Sequence, residues 1–436
     1  MPRAQLGLGS GVGLVVANVV GVGVLTSTGY MAPHLGPGAI LLCWLAGGVM
    51  AMCGARCYAE LARAIPRSGG EYRYLSELLH PFCGAVAGWI SILVGFAAPV
   101  ALAGATAGPF VSTLIPGAPP RLTGAALILL ATASQALHLR WSTATQDVLA
   151  LVKGLLIAGF IATGLALGAH AAPAWRAPQA AAGLPVKPFA ISLVYVAFAY
   201  SGWGAAAYVA GEFRDPARTA PRAMMLGTAL VTVVYLVVNA ILVANLTGDR
   251  LSAWLAQDTT RITLAHLLMA QLAGPTAARL TSLLVVLWLA SSIVSMTLSG
   301  PRVAAAMAAE GFLPRALAGT ADHPPRWSVV FQSAIALLLL ATHSFEALLR
   351  SVGAILTLAS ALAVAALFRR RSSHRPLPRP TVGLVAAASV YLIGSAWMLW
   401  FSFTDEPGSL LWIVVVLICS GLAYLRSERC PTLYGR

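Results

Sequence analysis

The sequence predicts an all-α polytopic membrane protein. Twelve transmembrane helices are expected, ten of them in two five-helix halves of opposite orientation, with the first and sixth helices broken. Three observations carry this. The 436 residues are 58% hydrophobic and 10% charged, with a mean hydropathy of +0.81, whereas soluble domains carry about 25% charged residues. The apolar residues gather into twelve runs of helical length, the form a chain takes to cross a hydrocarbon layer ~30 Å thick. Glycines interrupt the first run and the sixth.

The runs are 6–32, 38–62, 80–113, 121–138, 142–168, 188–211, 223–245, 281–305, 328–342, 346–368, 381–402 and 409–425. Met1 to Ser10 is too short for a signal peptide's basic head, and the apolar run is long and Gly-rich, so no cleavable signal peptide is expected. The second carries Cys53 and Cys57 one turn apart. No histidine or acidic set joins them into a metal site, and the six cysteines suggest no disulfide framework. The third run is long enough to be tilted. Asn245 to Arg279 is the longest outward loop, and its apolar stretch Ile262 to Leu272 suits a surface helix. Residues 369–380, RRRSSHRPLPRP, form a basic cytoplasmic connector. It separates a core of residues 1–368 (halves at about 6–168 and 188–368) from the last two helices within 381–425 and a tail, 426–436.

The net charge is +14, yet its placement excludes a nucleic-acid surface. With the N-terminus in the cytoplasm, twenty Lys and Arg residues fall inside and seven outside, leaving Lys153 within the membrane. That asymmetry is the positive-inside rule, with both termini cytoplasmic in the cell membrane. The excess charge meets anionic lipid. No cofactor is indicated. The histidines sit mostly at run ends and no acidic or metal set lies within the runs, so an enzyme is not expected. No docking signal for an obligatory protein partner is readable.

The first run reads VVGVGVLTSTG, with Gly21, Gly23 and Gly29; the sixth reads FAYSGWG, with Gly202 and Gly204. Five runs per half invert the second half, and paired broken helices in inverted repeats mark a midplane substrate site. An unwound turn leaves peptide groups without helical partners, untenable in hydrocarbon unless something fills them. A zwitterionic amino acid does so. Its carboxylate would take N–H groups at a half-helix N-terminus, from Val22, Gly23, Val24, Leu25 and Thr26, with Gly21 beside them in the substrate site. Its ammonium would take carbonyls of Val19, Val20, Phe198 and Ala199. Phe198, Tyr200 and Trp203, around Ser201 and Gly202, would form a gate or pocket wall.

Lys153 lies 12 residues into the fifth run counted from Trp141, about 18 Å along a helix rising ~1.5 Å per residue. A charge at that depth costs roughly 2.5–3.5 kcal/mol on insertion scales, so it is expected to face a polar interior. It would serve as a fixed cation in place of a coupling ion, as a proton carrier, or as a structural charge. Ser291, Ser292 and Ser295 of the eighth run, LASSIVSMTLS, could accept from it.

These residues carry a resemblance. Gly21-Val22-Gly23-Val24, Pro66-Arg67-Ser68-Gly69-Gly70-Glu71-Tyr72, Phe198-Ala199-Tyr200-Ser201-Gly202-Trp203, Gly211-Glu212 with Asp215-Pro216, and Glu310-Gly311-Phe312-Leu313-Pro314 resemble segments of the amino acid–polyamine–organocation permeases. The likeness is to the bacterial permeases related to L-type amino acid transporters. It implies the LeuT-type 5+5 inverted repeat and alternating access. It implies secondary transport of amino acids, with neutral L-amino acids as substrates and exchange or proton coupling both open. It places the family's span-five lysine at Lys153, touching the first helix and Ser292, and its gating phenylalanine at Phe198. Two positions depart from the pattern: Val22 stands where the family has serine, and Gly204 where it often has asparagine. Export through the same fold, or an amino-acid sensor that does not transport, are the alternatives.

Overall fold

The structure, a computed structural model, describes residues 6–67, 69–136, 143–168, 185–245, 248–257, 261–309, 311–318, 326–369 and 380–428. Ser68, Glu310, Arg370 to Arg379 of the basic connector, and the tail beyond Glu428 lie outside the described residues. Among those described, every regular element is helical, apart from one bridge between Leu6 and Phe213.

The first apolar run forms two helices, α1 (Leu8–Val19) and α2 (Val22–Met31). Then come α3 (Pro37–Ala64), with Pro37 starting it, and the short α4 (Gly70–Leu78); proline suits a first turn because its missing N–H is not needed there. The third run is α5 (Pro81–Ile90), a π-helical stretch over Ser91–Ala97, and α6 (Ala98–Leu114). Pro99, which has no N–H to give, directly follows the wide turn. Next are α7 (Pro120–Ala136) and α8 (Thr143–Leu167). The sixth run is again split, into α9 (Val186–Tyr200) and the four-residue α10 (Ala205–Tyr208). After α11 (Pro216–Asn245) and α12 (Gly248–Gln257) comes α13 (Leu264–Ala309). Gly274 breaks α13 with φ 84°, joining the expected surface helix to the eighth run. The chain ends with α14 (Arg326–Thr342), α15 (Phe345–Ala366), α16 (Val382–Asp405) and α17 (Ser409–Glu428). Ser344 and Thr381 cap α15 and α16 by accepting from Ala347 and Leu384 N–H.

Seven of these stretches are long and apolar enough to cross a membrane. Shorter apolar helices lie at Val152–Leu167, Val186–Tyr200, Arg326–Thr342 and Ser409–Leu425. Their outward faces settle the solvent. Leu42, Leu45 and Val49 on α3, Leu226, Leu230 and Val233 on α11, and Leu280, Leu283 and Leu287 on α13 are all exposed. Each set follows the three-and-four spacing of one helix face. Contiguous apolar stripes of this size belong in lipid, not water. The chain is a helical multi-pass membrane protein.

Part of the packing is reciprocal. α1 lies on α11, and α9 lies on α3; α13 meets α7, and α14 meets α6; α8 lies on α13, and α15 on α6. Exchanging each helix of the first half for its counterpart in the second turns each of these pairs into the other. Three further pairs, α3 with α11, α6 with α13 and α7 with α14, map onto themselves.

Candidate functional site

The two helix breaks meet. α1 stops at Val19, Val20 and Gly21 are extended, and α2 begins at Val22. On the other side, α9 stops at Tyr200, and Ser201 to Gly204 run as a turn in which Gly202 has φ +103°. That left-handed conformation favours glycine. Each break is pressed against the other's backbone. A Cβ on Gly23 would lie 2.5 Å from Cα and Cβ of Ala199, and one on Gly202 would lie 2.9 Å from the Asn18 carbonyl oxygen. Glycine is needed at both points because only a missing side chain lets two main chains approach this closely.

What the breaks expose differs in detail from the sequence expectation. With Gly21 as the residue before α2 and no side chain capping it, the donors without helical partners are those of Gly21, Val22, Gly23 and Val24, of which Gly21 N–H meets the Tyr235 hydroxyl. Leu25 and Thr26 already lie within the helix, and the Thr26 hydroxyl donates back to the Val22 carbonyl at 3.1 Å. Of the four expected carbonyls, three have protein donors. Ser201 N–H meets Phe198 O at 2.9 Å. The Tyr235 hydroxyl reaches both Val19 O, at 2.8 Å, and Ala199 O, at 3.1 Å. Tyr235, on α11, thus ties the last turns of both broken helices together. Its place was not legible in the sequence, since a tyrosine in an apolar run reads as packing.

Tyr235 belongs to a buried polar knot. Thr28 donates to Asn239, the Trp44 indole N–H donates to Thr28 at 3.0 Å, and the Tyr200 hydroxyl donates to the Trp44 carbonyl at 3.3 Å. The rings of Trp44, Tyr200 and Tyr235 lie 5.1–6.0 Å apart. Tyr200 therefore faces α3 and α11. Trp203 sits edge-on to Tyr58 at 4.6 Å and to Tyr391 at 6.2 Å, so it packs between α3 and α16. Phe198 lies against Gly353 of α15. The three aromatics flank one break but point three ways, and they form no single wall.

Lys153 is half-buried, and its Nζ stands 5.7 Å above the Trp288 ring of α13, a distance at which a cation is attracted by the indole face. Among the described residues its amine makes no hydrogen bond to Ser291, Ser292 or Ser295. Ser292 instead donates to the Trp288 carbonyl at 3.1 Å, the back-bond that helical serines commonly make. Ser291 is half-buried and Ser295 exposed on the face of α13 that carries Trp288. One turn beyond Lys153, Leu156, Ile157 and Phe160 join Val24, Leu25, Tyr235, Val238 and Trp288 around a cavity of about 30 Å³. Its lining is almost wholly apolar, with Thr281 among the residues around it.

The two mouths of the site are unlike. α2 is buried except at the half-buried Leu25: Gly29 packs under the Arg261 carbonyl and the Trp254 ring, Tyr30 stacks on Phe345 at 5.5 Å, and Tyr195 donates to Glu346 at 2.9 Å. At the other end α1 packs mainly on α11 and α10, leaving Ala17 and Asn18 exposed. The Asn18 carboxamide donates back to the Leu14 carbonyl at 2.9 Å.

Residues 12–372 match the family model described as amino acid permease. Large neutral amino acids transporter small subunit 2 of Rattus norvegicus is 30% identical over 420 residues, 93% of this chain and 77% of that protein. Asc-type amino acid transporter 1 of Homo sapiens is 27% identical over 446 residues, 96% of this chain and 81% of that protein. The b(0,+)-type amino acid transporter 1 of Mus musculus is 31% identical over 246 residues, 54% of this chain and 50% of that protein.

Proposed function

The chain belongs to the amino acid permease family, and from that premise we propose that it is a secondary transporter of neutral amino acids working by alternating access. The observation that carries the reading is the pair of opposed breaks. The N-terminus of α2 offers uncapped N–H groups where a carboxylate is held best. The facing turn of residues 201–204 closes the other side. Neither break carries an acidic residue, which disfavours polyamines and cationic side chains. One relative is named a transporter of large neutral amino acids, which agrees with a neutral substrate.

The reciprocal packing supports twelve spans, with the LeuT-type 5+5 repeat over residues 1–368 and two added helices. A rocking of one half against the other would then open the site to each side in turn. The burial around α2 and the exposure of Ala17 and Asn18 on α1 support a form open on the α1 side. By the charge asymmetry, that side is the cytoplasm of a cell membrane. Lys153 over Trp288 is a charge fixed between α8 and α13, where it can stand in for a coupling ion; exchange and proton coupling differ in whether it releases its proton. The relative named a small subunit is by that name part of an assembly.

Counterflow in proteoliposomes tests the reading. Liposomes loaded with leucine, alanine, serine or phenylalanine should accumulate the labelled form, with and without a pH gradient. Accumulation that follows the gradient supports proton coupling, and indifference to it supports exchange. Binding without flux would leave a sensor as the better description.

A further inference from the structure

The inner half of the second broken helix, α10, has only four residues. A helix so short has no stability of its own, so its position is set by what grips it. The grip is the corner between α3 and α4. Gly69 N–H donates to the Tyr208 carbonyl at 3.1 Å. Gly69 and Gly70 have φ of +132° and +52°, and a Cβ on Gly70 would lie 2.7 Å from the Tyr208 ring. The Glu71 carboxylate then accepts from the Tyr208 hydroxyl and, at 2.7 Å through its other oxygen, from the Tyr58 hydroxyl. Tyr208, the last residue of α10, is thus held at its carbonyl, its ring and its hydroxyl.

We propose that Glu71 is a positioning residue for transport: its carboxylate clasps α10 against the α3–α4 corner and releases it when the pathway changes sides. Glu71 rides on α4, whose main packing partners are α5 and α15, while Tyr208 rides on α10, which packs on α11 and α1. Any movement of the second broken helix relative to α4 has to part these groups. The clasp also reaches the site. The Tyr58 ring lies edge-on to Trp203 at 4.6 Å, and a Cβ on Gly204 would lie 3.5 Å from it. One phenol therefore touches both the carboxylate and the turn opposite α2.

The inference rests on the alternating-access reading. Its test uses full-length protein in liposomes of defined orientation, with the neutral amino acid that gives the strongest wild-type counterflow. Loosening the clasp depopulates the form described here, and apparent affinity scales with the population of the competent form. Glu71→Gln and Tyr208→Phe should each raise the apparent KM on the α1 side and lower it on the opposite side, about three- to tenfold. Glu71→Asp should restore part of the shift, and the double variant should be no worse than the worse single one. General damage to the fold would not move the two sides in opposite directions. Tyr208→Phe, which leaves the carboxylate and its Tyr58 bond, decides the matter if Glu71→Gln fails to fold. Wild-type flux with unmoved or parallel KM values in the variants overturns the clasp alone; a wild-type chain without flux overturns the transporter reading beneath it.

Discussion

Replacing Gly23 by alanine should cripple transport through the geometry of the two breaks. The new Cβ would stand 2.5 Å from Cα and Cβ of Ala199 and 3.1 Å from its nitrogen. Carbon atoms rest at about 3.5–4.0 Å, so the segments must part by about 1 Å. Tyr235 bridges Val19 O and Ala199 O at 2.8 and 3.1 Å, and a parting of that size stretches at least one bond past useful length. Overpacking costs about 1–3 kcal/mol and the lost bond about 1 kcal/mol more. If this falls on the transporting arrangement, the ratio of rate to KM should drop roughly thirty- to several-hundred-fold, at ~1.4 kcal/mol per tenfold. Adding Ala199→Gly removes one of the two clashing carbons and should recover part of the loss. Counterflow kinetics on reconstituted protein, with melting curves to confirm folding, make the measurement. A Gly23→Ala protein with wild-type rate and KM would mean that the breaks do not touch as described.

Lys153→Ala should cut counterflow at least tenfold while the protein still inserts, because it removes a charge at depth from above Trp288; a fully active variant would deny it a role. Tyr235→Phe removes only the hydroxyl that joins Val19 O to Ala199 O and should lower transport about tenfold, with little loss of ring packing, as KM and rate in the same liposomes will tell. Trp203→Ala should destabilise the protein by about 3–5 kcal/mol, since its ring fills the space between Tyr58 and Tyr391; a wild-type melting temperature would contradict that placement. His34, at the sealed end, has its pKa lowered by burial first and by Arg261 second, with Glu346 opposing. The unfolded chain therefore takes up this proton at a higher pH than the folded one, so the contribution is present above about pH 6.5 and lost as pH falls below it. His34→Gln should flatten the acid limb of a melting-temperature profile, and an unchanged limb would assign it elsewhere.

Composition and spacing determined the solvent, the helices and the two interruptions. An apolar run long enough to cross lipid has few alternatives to a helix there, and paired glycines mark where two backbones come closest. A lysine deep in such a run is expected to face inward, and the Lys153 amine stands 5.7 Å from the Trp288 ring. The partners were another matter. Nothing local says that Lys153 meets Trp288 instead of Ser292, that Trp203 turns toward α16, or that Glu71 holds Tyr208. Tyr235 and Val19 are 216 residues apart in the chain, as Glu71 and Tyr208 are 137 apart. Hydrophobicity is a property each residue carries with it, so the sequence can state it. A hydrogen bond between distant helices exists only once packing has fixed the rotation of both, and that was decided by the tertiary structure.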